Sequence, residues 1–315
     1  MLFSDLKKHL QTGNSEPAYF VTGEDAFLLQ SALNMFRALA EPMPDFNLNE
    51  LNSPESSAVI TESCESLPLG ADKRVVIVRG CKADMSGVLK YLENPCPSTV
   101  LVFVSEKPEK NFAQIMSKLT VVDCSKLDKR TVLKWIAQNT AKFGSSITES
   151  AAALLIEYCA GDMSRISAEL SKLCSYRYGG IIGEEDVAAL TAPTLDFKIF
   201  ALSETVASKQ PKKAALVLKN LTESGASPVM LLGMLYAHFR RLLYVSITPP
   251  YERMAADLGV KDYAVKKAKE QSARFTPAKL KKICDSLQEA DYDIKSGKIT
   301  DKTALELVVL RALAM

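Results

Sequence analysis

His9 and His238 are the only two histidines in the chain, so a histidine-based metal site or a Ser-His-Asp triad would have to use one of them alone. His9 lies in an N-terminal Lys-Lys-His-Leu stretch of helical pattern expected to be exposed. His238 stands beside Phe239, Arg240 and Arg241, the setting of a satisfied helical residue rather than a catalyst. The acid pairs Glu184-Glu185 and Asp291/Asp293 are adjacent or two apart, and on a helix such side chains point in different directions, which makes them poor acid–base partners. Phosphate chemistry needs a Gly-rich loop after the first strand of a nucleotide-binding fold, with backbone amides and a lysine to hold the phosphates. After Tyr19-Phe20-Val21 the chain instead reads Thr22-Gly23-Glu24-Asp25-Ala26-Phe27, with no G-x-x-x-x-G-K-S/T, and Glu24 and Asp25 would repel a phosphate there. Ser105-Glu106 ends an apolar stretch with an acid of metal–nucleotide type, but no P-loop lysine accompanies it, and Gly297-Lys298 runs into Ile299. No catalytic residue, metal ligand or cofactor-binding residue is therefore assigned.

The elements that would position any site follow from the apolar pattern. The chain has 315 residues, 39 Lys+Arg against 37 Asp+Glu and 47% hydrophobic residues, the composition of a globular protein long enough for two or three domains. Its seven cysteines, at 64, 81, 96, 124, 159, 174 and 284, are odd in number and contain no C-x-x-C pair, so reduced, cytoplasmic thiols are expected. The longest apolar run, Val229 to Ala237, is too short for a bilayer, and the N-terminus lacks a signal-peptide pattern. In the first third, β-branched or aromatic runs at Ala18–Val21, Val75–Val78, Val100–Val104 and Leu119–Val122 predict buried strands, with helices over Ala26–Ala40 and Met85–Leu92 between them. That alternation predicts an α/β unit with a largely parallel sheet, similar to a nucleotide-binding fold.

From Asp128 onward the period is helical. Asp128, Thr148 and Asp162 stand where helices begin, with Gly144 and Gly161 where two of them end. Ala192-Pro193 separates this set from further helices that continue to Ala314. The expected domains are 1–126, 127–195 and 196–315. Their net charges are −4, −1 and +7, so the last is the basic one. Within it, the segment from Lys261 to Lys282 carries net +6 in 22 residues, which a solvated helical face explains more simply than nucleic-acid binding, because Val265, Ala268 and Leu280 supply an apolar side opposite the lysines.

Several phrases together resemble the bacterial DNA polymerase III delta subunits. They are Tyr19-Phe20-Val21-Thr22-Gly23-Glu24-Asp25, then Asp45-Phe46-Asn47, and then Ser66-Leu67-Pro68-Leu69-Gly70-Ala71-Asp72-Lys73-Arg74-Val75-Val76. Further on come Glu169-Leu170-Ser171-Lys172-Leu173, His238-Phe239-Arg240-Arg241-Leu242, and Ala290-Asp291-Tyr292-Asp293-Ile294-Lys295-Ser296-Gly297 with Leu305-Glu306-Leu307. The resemblance runs through the whole chain in order. It implies an AAA+-like α/β domain without a P-loop at 1–126, a small helical lid domain at 127–195 and an all-α collar domain for oligomerisation at 196–315. It also implies a non-catalytic clamp-loader subunit that needs no cofactor, binds the ring-shaped beta sliding clamp and opens it for loading onto primed DNA. Its partners would be the clamp, the delta prime and tau or gamma subunits, and primed template DNA in the assembled complex, with no membrane.

By position, the clamp-binding tip implied by the resemblance falls on Leu67, Pro68 and Leu69, with Leu69 where Phe is common in the family. Read from the residues alone, Leu67-Pro68-Leu69-Gly70 is a Pro-stiffened loop between a helix and the strand at Val75, whose leucines could be core or displayed. The helix of about Val59–Glu65 is the expected second contact straining the clamp. Arg240, Arg241, Lys266 and Lys267 are possible DNA-facing residues. Two other readings fit the residues less well: an ATPase subunit with a degenerate AAA+ nucleotide site, and a stand-alone DNA-binding replication factor.

Overall fold

The computed structural model describes residues 1–13, 15–41, 43–107, 110–125, 127–251, 253–260 and 262–315. Lys126, the expected first boundary, and Lys261, the first lysine of the basic segment, lie outside the described residues. The chain divides into two compact units, Met1–Trp135 and Ile136–Met315.

The first unit is built on five strands: β1 (Ala18–Thr22), β2 (Leu48–Asn52), β3 (Arg74–Arg79), β4 (Thr99–Val104) and β5 (Thr120–Asp123). They form one sheet in the order β2-β3-β4-β1-β5, with every pairing parallel. The apolar runs are continuous because both faces are covered. Successive side chains alternate between the faces. Phe20, Val76, Val78, Leu101 and Phe103 pack on one side with Ile60 and Cys64 of the helix Ser57–Glu65 and Val88 of the helix Ser86–Tyr91. Tyr19, Val21, Val75, Ile77 and Val102 pack on the other with Leu6 of the helix Phe3–Gln11 and Leu28, Leu33 and Phe36 of the helix Ala26–Arg37. The four strands expected from sequence are β1, β3, β4 and β5. The fifth, β2, was not, because Leu48-Asn49-Glu50-Leu51-Asn52 is polar. It is an edge strand paired with β3 alone, and its Glu50 accepts from Arg37 Nε at 2.7 Å.

The second unit is helical. The end of the helix Lys129–Lys142 and the helices Glu149–Tyr158, Met163–Tyr176 and Glu184–Leu190 surround a two-residue parallel ladder, β6 (Ser146–Ile147) with β7 (Ile181–Ile182). The expected caps are present: Asp128, Thr148 and Asp162 each accept a backbone N–H of the first turn they begin. Beyond Thr194, which caps Leu195–Ala207, the core is organised around Pro228–Ile247. This 20-residue helix buries Leu231, Leu232, Leu235, Phe239 and Leu242 against Leu195–Ala207, Pro277–Lys295 and Asp301–Ala314. Among the described residues no helix is long and apolar enough to cross a membrane.

Candidate functional site

In a parallel sheet all strands end on the same edge, so the first unit has a carboxyl edge and an amino edge. Leu67, Pro68 and Leu69 lie at the amino edge, between the end of the helix Ser57–Glu65 and the start of β3. Leu67 is 75% exposed and Leu69 54%. Two leucines displayed to solvent on one short loop are apolar surface that the fold has not covered.

The loop's backbone is nonetheless fixed from below. Asn47, fully buried at 0% exposure, donates from Nδ2 to the Leu69 carbonyl at 2.9 Å and accepts the Leu69 N–H on Oδ1 at 2.7 Å. One side-chain amide thus satisfies both backbone groups of Leu69, as a paired strand would. Asn47 ends the short helix Pro44–Asn47, and that helix is held by Arg74. Arg74 is itself buried, and it donates to the Phe46 carbonyl at 2.7 Å and the Ser63 carbonyl at 2.9 Å. Thr99 donates to the neighbouring Cys64 carbonyl at 2.8 Å. The guanidinium therefore also stabilises the negative end of Ser57–Glu65, the helix that leads into the loop. Gly70 follows at φ +62, a left-handed turn that suits glycine, and a methyl there would come within 3.0 Å of Met43 Sδ. Met43 and Phe46 are themselves exposed, Phe46 at 57%, so the leucines stand beside further apolar surface. The residue reading missed Asn47 and Arg74 as determinants of the loop. The signal was the presence of both in the quoted phrases, 22 and 5 residues from Leu69.

The carboxyl edge is the opposite case. The turn after β1, where a phosphate would be cradled, is closed by the chain itself. Asp25 caps Ala26–Arg37 by accepting from Phe27 N at 3.0 Å and Leu28 N at 3.2 Å, the amides a phosphate would take. Gly23 lies so close to the strand-end segment that a Cβ on it would sit 2.2 Å from the Cys124 carbonyl carbon. Glu106 contributes its backbone carbonyl to Thr22 Oγ1 at 2.9 Å, and its side chain is exposed.

Of the basic residues singled out in the sequence, Arg241 and Lys267 line one cavity, whereas Arg240 and Lys266 are exposed. Arg240 is exposed on the side of Pro228–Ile247 near Cys284. Arg241 is mostly buried, and Asp196 acts on it electrostatically. It helps line a cavity of about 430 Å³ with Phe197, Phe200 and Arg165. Lys266 is exposed, whereas Lys267 is ion-paired with Glu157 at 3.1 Å and lies over the Phe200 ring. Among the described residues of 261–282, Lys267 thus faces a structural partner, while Lys266, Lys269, Lys281 and Lys282 are exposed. His9 is half-buried, not exposed as expected, and bonds the Tyr19 hydroxyl at 2.9 Å. His238 is buried against Gln271 Oε1 at 2.8 Å, and burial pushes its pKa down to about 4. All seven cysteines are free thiols, and among the described residues no cluster of His, Cys, Asp and Glu could hold a metal ion.

Two family models match the chain. The one described as DNA polymerase III, delta subunit matches residues 19–125, and the one described as DNA polymerase III delta subunit, C-terminal domain matches residues 196–312. The DNA polymerase III subunit delta of Bacillus subtilis (strain 168) is 23% identical over 340 aligned positions, which cover 98% of this chain and 96% of that one. The solved structure of the Bacillus subtilis DNA clamp loader delta protein superposes with a TM-score of 0.77 at 22% identity, covering 99% of this chain and 100% of that one. That superposition extends the similarity of fold to the whole length.

Proposed function

The chain belongs to the DNA polymerase III delta subunit family, and from that premise we propose that it works by binding rather than by catalysis, docking the loop at Leu67-Pro68-Leu69 into an apolar pocket of the sliding clamp. The observation that carries the reading is the pair of displayed leucines on a backbone held by buried hydrogen bonds. Covering a leucine side chain with an apolar pocket contributes about 1.5 to 3 kcal/mol. Two such residues at the centre of a contact have the weight of hot spots, and the fixed backbone lowers the entropy lost on docking.

Anchoring alone does not open a ring. The chain can shift the clamp only by as much as it binds the open interface more tightly than the closed one. The helix Ser57–Glu65, with Val59 exposed on it, is our choice for the surface that makes this difference. The helices of 196–315 would join the other clamp-loader subunits in the cytoplasm, with 127–195 as a separate lid domain. ATP hydrolysis would fall to those partners, since a nucleotide at the turn after β1 would have to displace the Asp25 carboxylate from its two amides.

Surface plasmon resonance against the same organism's sliding clamp tests this reading. The pair Leu67→Ala/Leu69→Ala is expected to weaken binding at least tenfold, that is by about 1.4 kcal/mol or more. Undiminished binding by the double variant would move the site elsewhere.

A further inference from the structure

The buried amide of Asn47 makes more of the loop than a displayed apolar patch. We propose that Asn47 is the positioning residue of the tip, holding Leu69 in its binding-competent place before any partner arrives. The inference rests on the clamp-docking reading of Leu67 and Leu69.

The loop has few other means of holding itself. Pro68 has no N–H to donate, and Ser66 bonds back to the Glu62 carbonyl at 3.3 Å rather than forward into the loop. Leu69 is the one tip residue whose N–H and carbonyl are both taken, and both are taken by Asn47. Asn47 is not free to follow the loop if it moves. Its own N–H bonds the Met43 carbonyl at 3.1 Å, and the carbonyl of the preceding Phe46 is gripped by Arg74. The tip is therefore tied, through one side chain, to the first residue of a central strand. Without that tie the Leu69 N–H and carbonyl can turn to water, since the residue is more than half exposed. The loop would then populate many conformations, of which only a fraction presents both leucines.

A binder whose competent state is populated to a fraction f binds with its dissociation constant raised by 1/f. The loss falls on the association rate, because the docked leucines make the same contacts once seated. Truncating the leucines themselves does the reverse: it removes bound-state contacts and speeds dissociation. The two kinds of variant are thus separable by kinetics.

The test uses the full chain and the same organism's sliding clamp, comparing wild type, Asn47→Ala, Asn47→Asp and Leu67→Ala/Leu69→Ala by surface plasmon resonance, with amide hydrogen exchange on each variant. Asn47→Ala is expected to slow association about tenfold with dissociation changed less than twofold, and to speed exchange at Leu69 while β1, β3 and β4 keep their protection. Asn47→Asp keeps the acceptor for the Leu69 N–H and loses the donor to its carbonyl. It is expected to fall between wild type and Asn47→Ala, and it carries the test should the alanine variant fail to fold. Normal association with a loosened Leu69 would overturn the inference, as would an unchanged Leu69 amide. Loss of binding by the leucine pair with no effect of either Asn47 variant would overturn this inference alone. Binding that ignores the leucine pair would overturn the docking reading and this inference with it.

Discussion

The two edges of the five-stranded sheet use the same materials to opposite ends. At the carboxyl edge, a helix N-terminus next to a glycine turn is the ordinary place for a phosphate, yet Asp25 occupies its amides and the Cys124–Ser125 backbone fills the space against Gly23. At the amino edge, the polar groups of the loop are also satisfied internally, by Asn47, but the side chains are left outside, Leu67 most of all. Internal satisfaction of the backbone closes one site and prepares the other. What differs is whether the residues on the turn point their chemistry inward, as Asp25 does, or outward, as the leucines do.

The glycines of the two turns should expose this difference most strongly. At Gly23 a methyl would collide with backbone that cannot step aside, so Gly23→Ala is expected to destabilise the first unit by on the order of 3 kcal/mol or more. At Gly70 the neighbour is the flexible end of Met43 and the cost is chiefly the left-handed backbone, about 1 kcal/mol. The single tryptophan, Trp135, packs edge-on at 5.6 Å against Phe27, directly after the first turn. Its fluorescence during urea unfolding reports both variants, and equal losses would show that the two turns are packed alike.

A smaller contrast lies in pH. His9 bonds Tyr19 at the start of β1, whereas His238 bonds Gln271 inside the helical unit and is held neutral there, with its pKa lowered from 6.5 to about 4. Between those values the unfolded chain binds the proton and the folded chain does not. Stability from this group is therefore complete above about pH 6.5 and is lost as the pH falls towards 4, by about 3 kcal/mol in all. Urea midpoints followed by far-ultraviolet circular dichroism should drop across that window, and His238→Gln should flatten the drop. Binding through the leucine tip is expected to stay level from pH 8 to 6.5.

Much of the fold was legible in the sequence because burial on both faces writes strands as β-branched runs and helices end at recognisable caps. The edge strand β2 was not, since a strand with one neighbour and a charged pair along it has no apolar run to show. The proposed docking loop was singled out only through the resemblance. From the residues alone two leucines in a loop are usually core, and what holds the backbone of Leu69 is an asparagine 22 residues earlier. The setting of Lys267 was hidden for the same reason: its partner is Glu157, 110 residues away, and no local pattern announces it.

If the leucine loop is the docking element, the sliding clamp meets the amino edge and not the nucleotide-like turn. The most direct test places a photocrosslinking amino acid at exposed Ser66 or at exposed Glu24 of the full chain and irradiates each with the same organism's sliding clamp. Capture of the clamp is expected from position 66, through peptides of an apolar surface pocket, and none from position 24. Capture from position 24 alone, or from neither, would contradict docking through the loop.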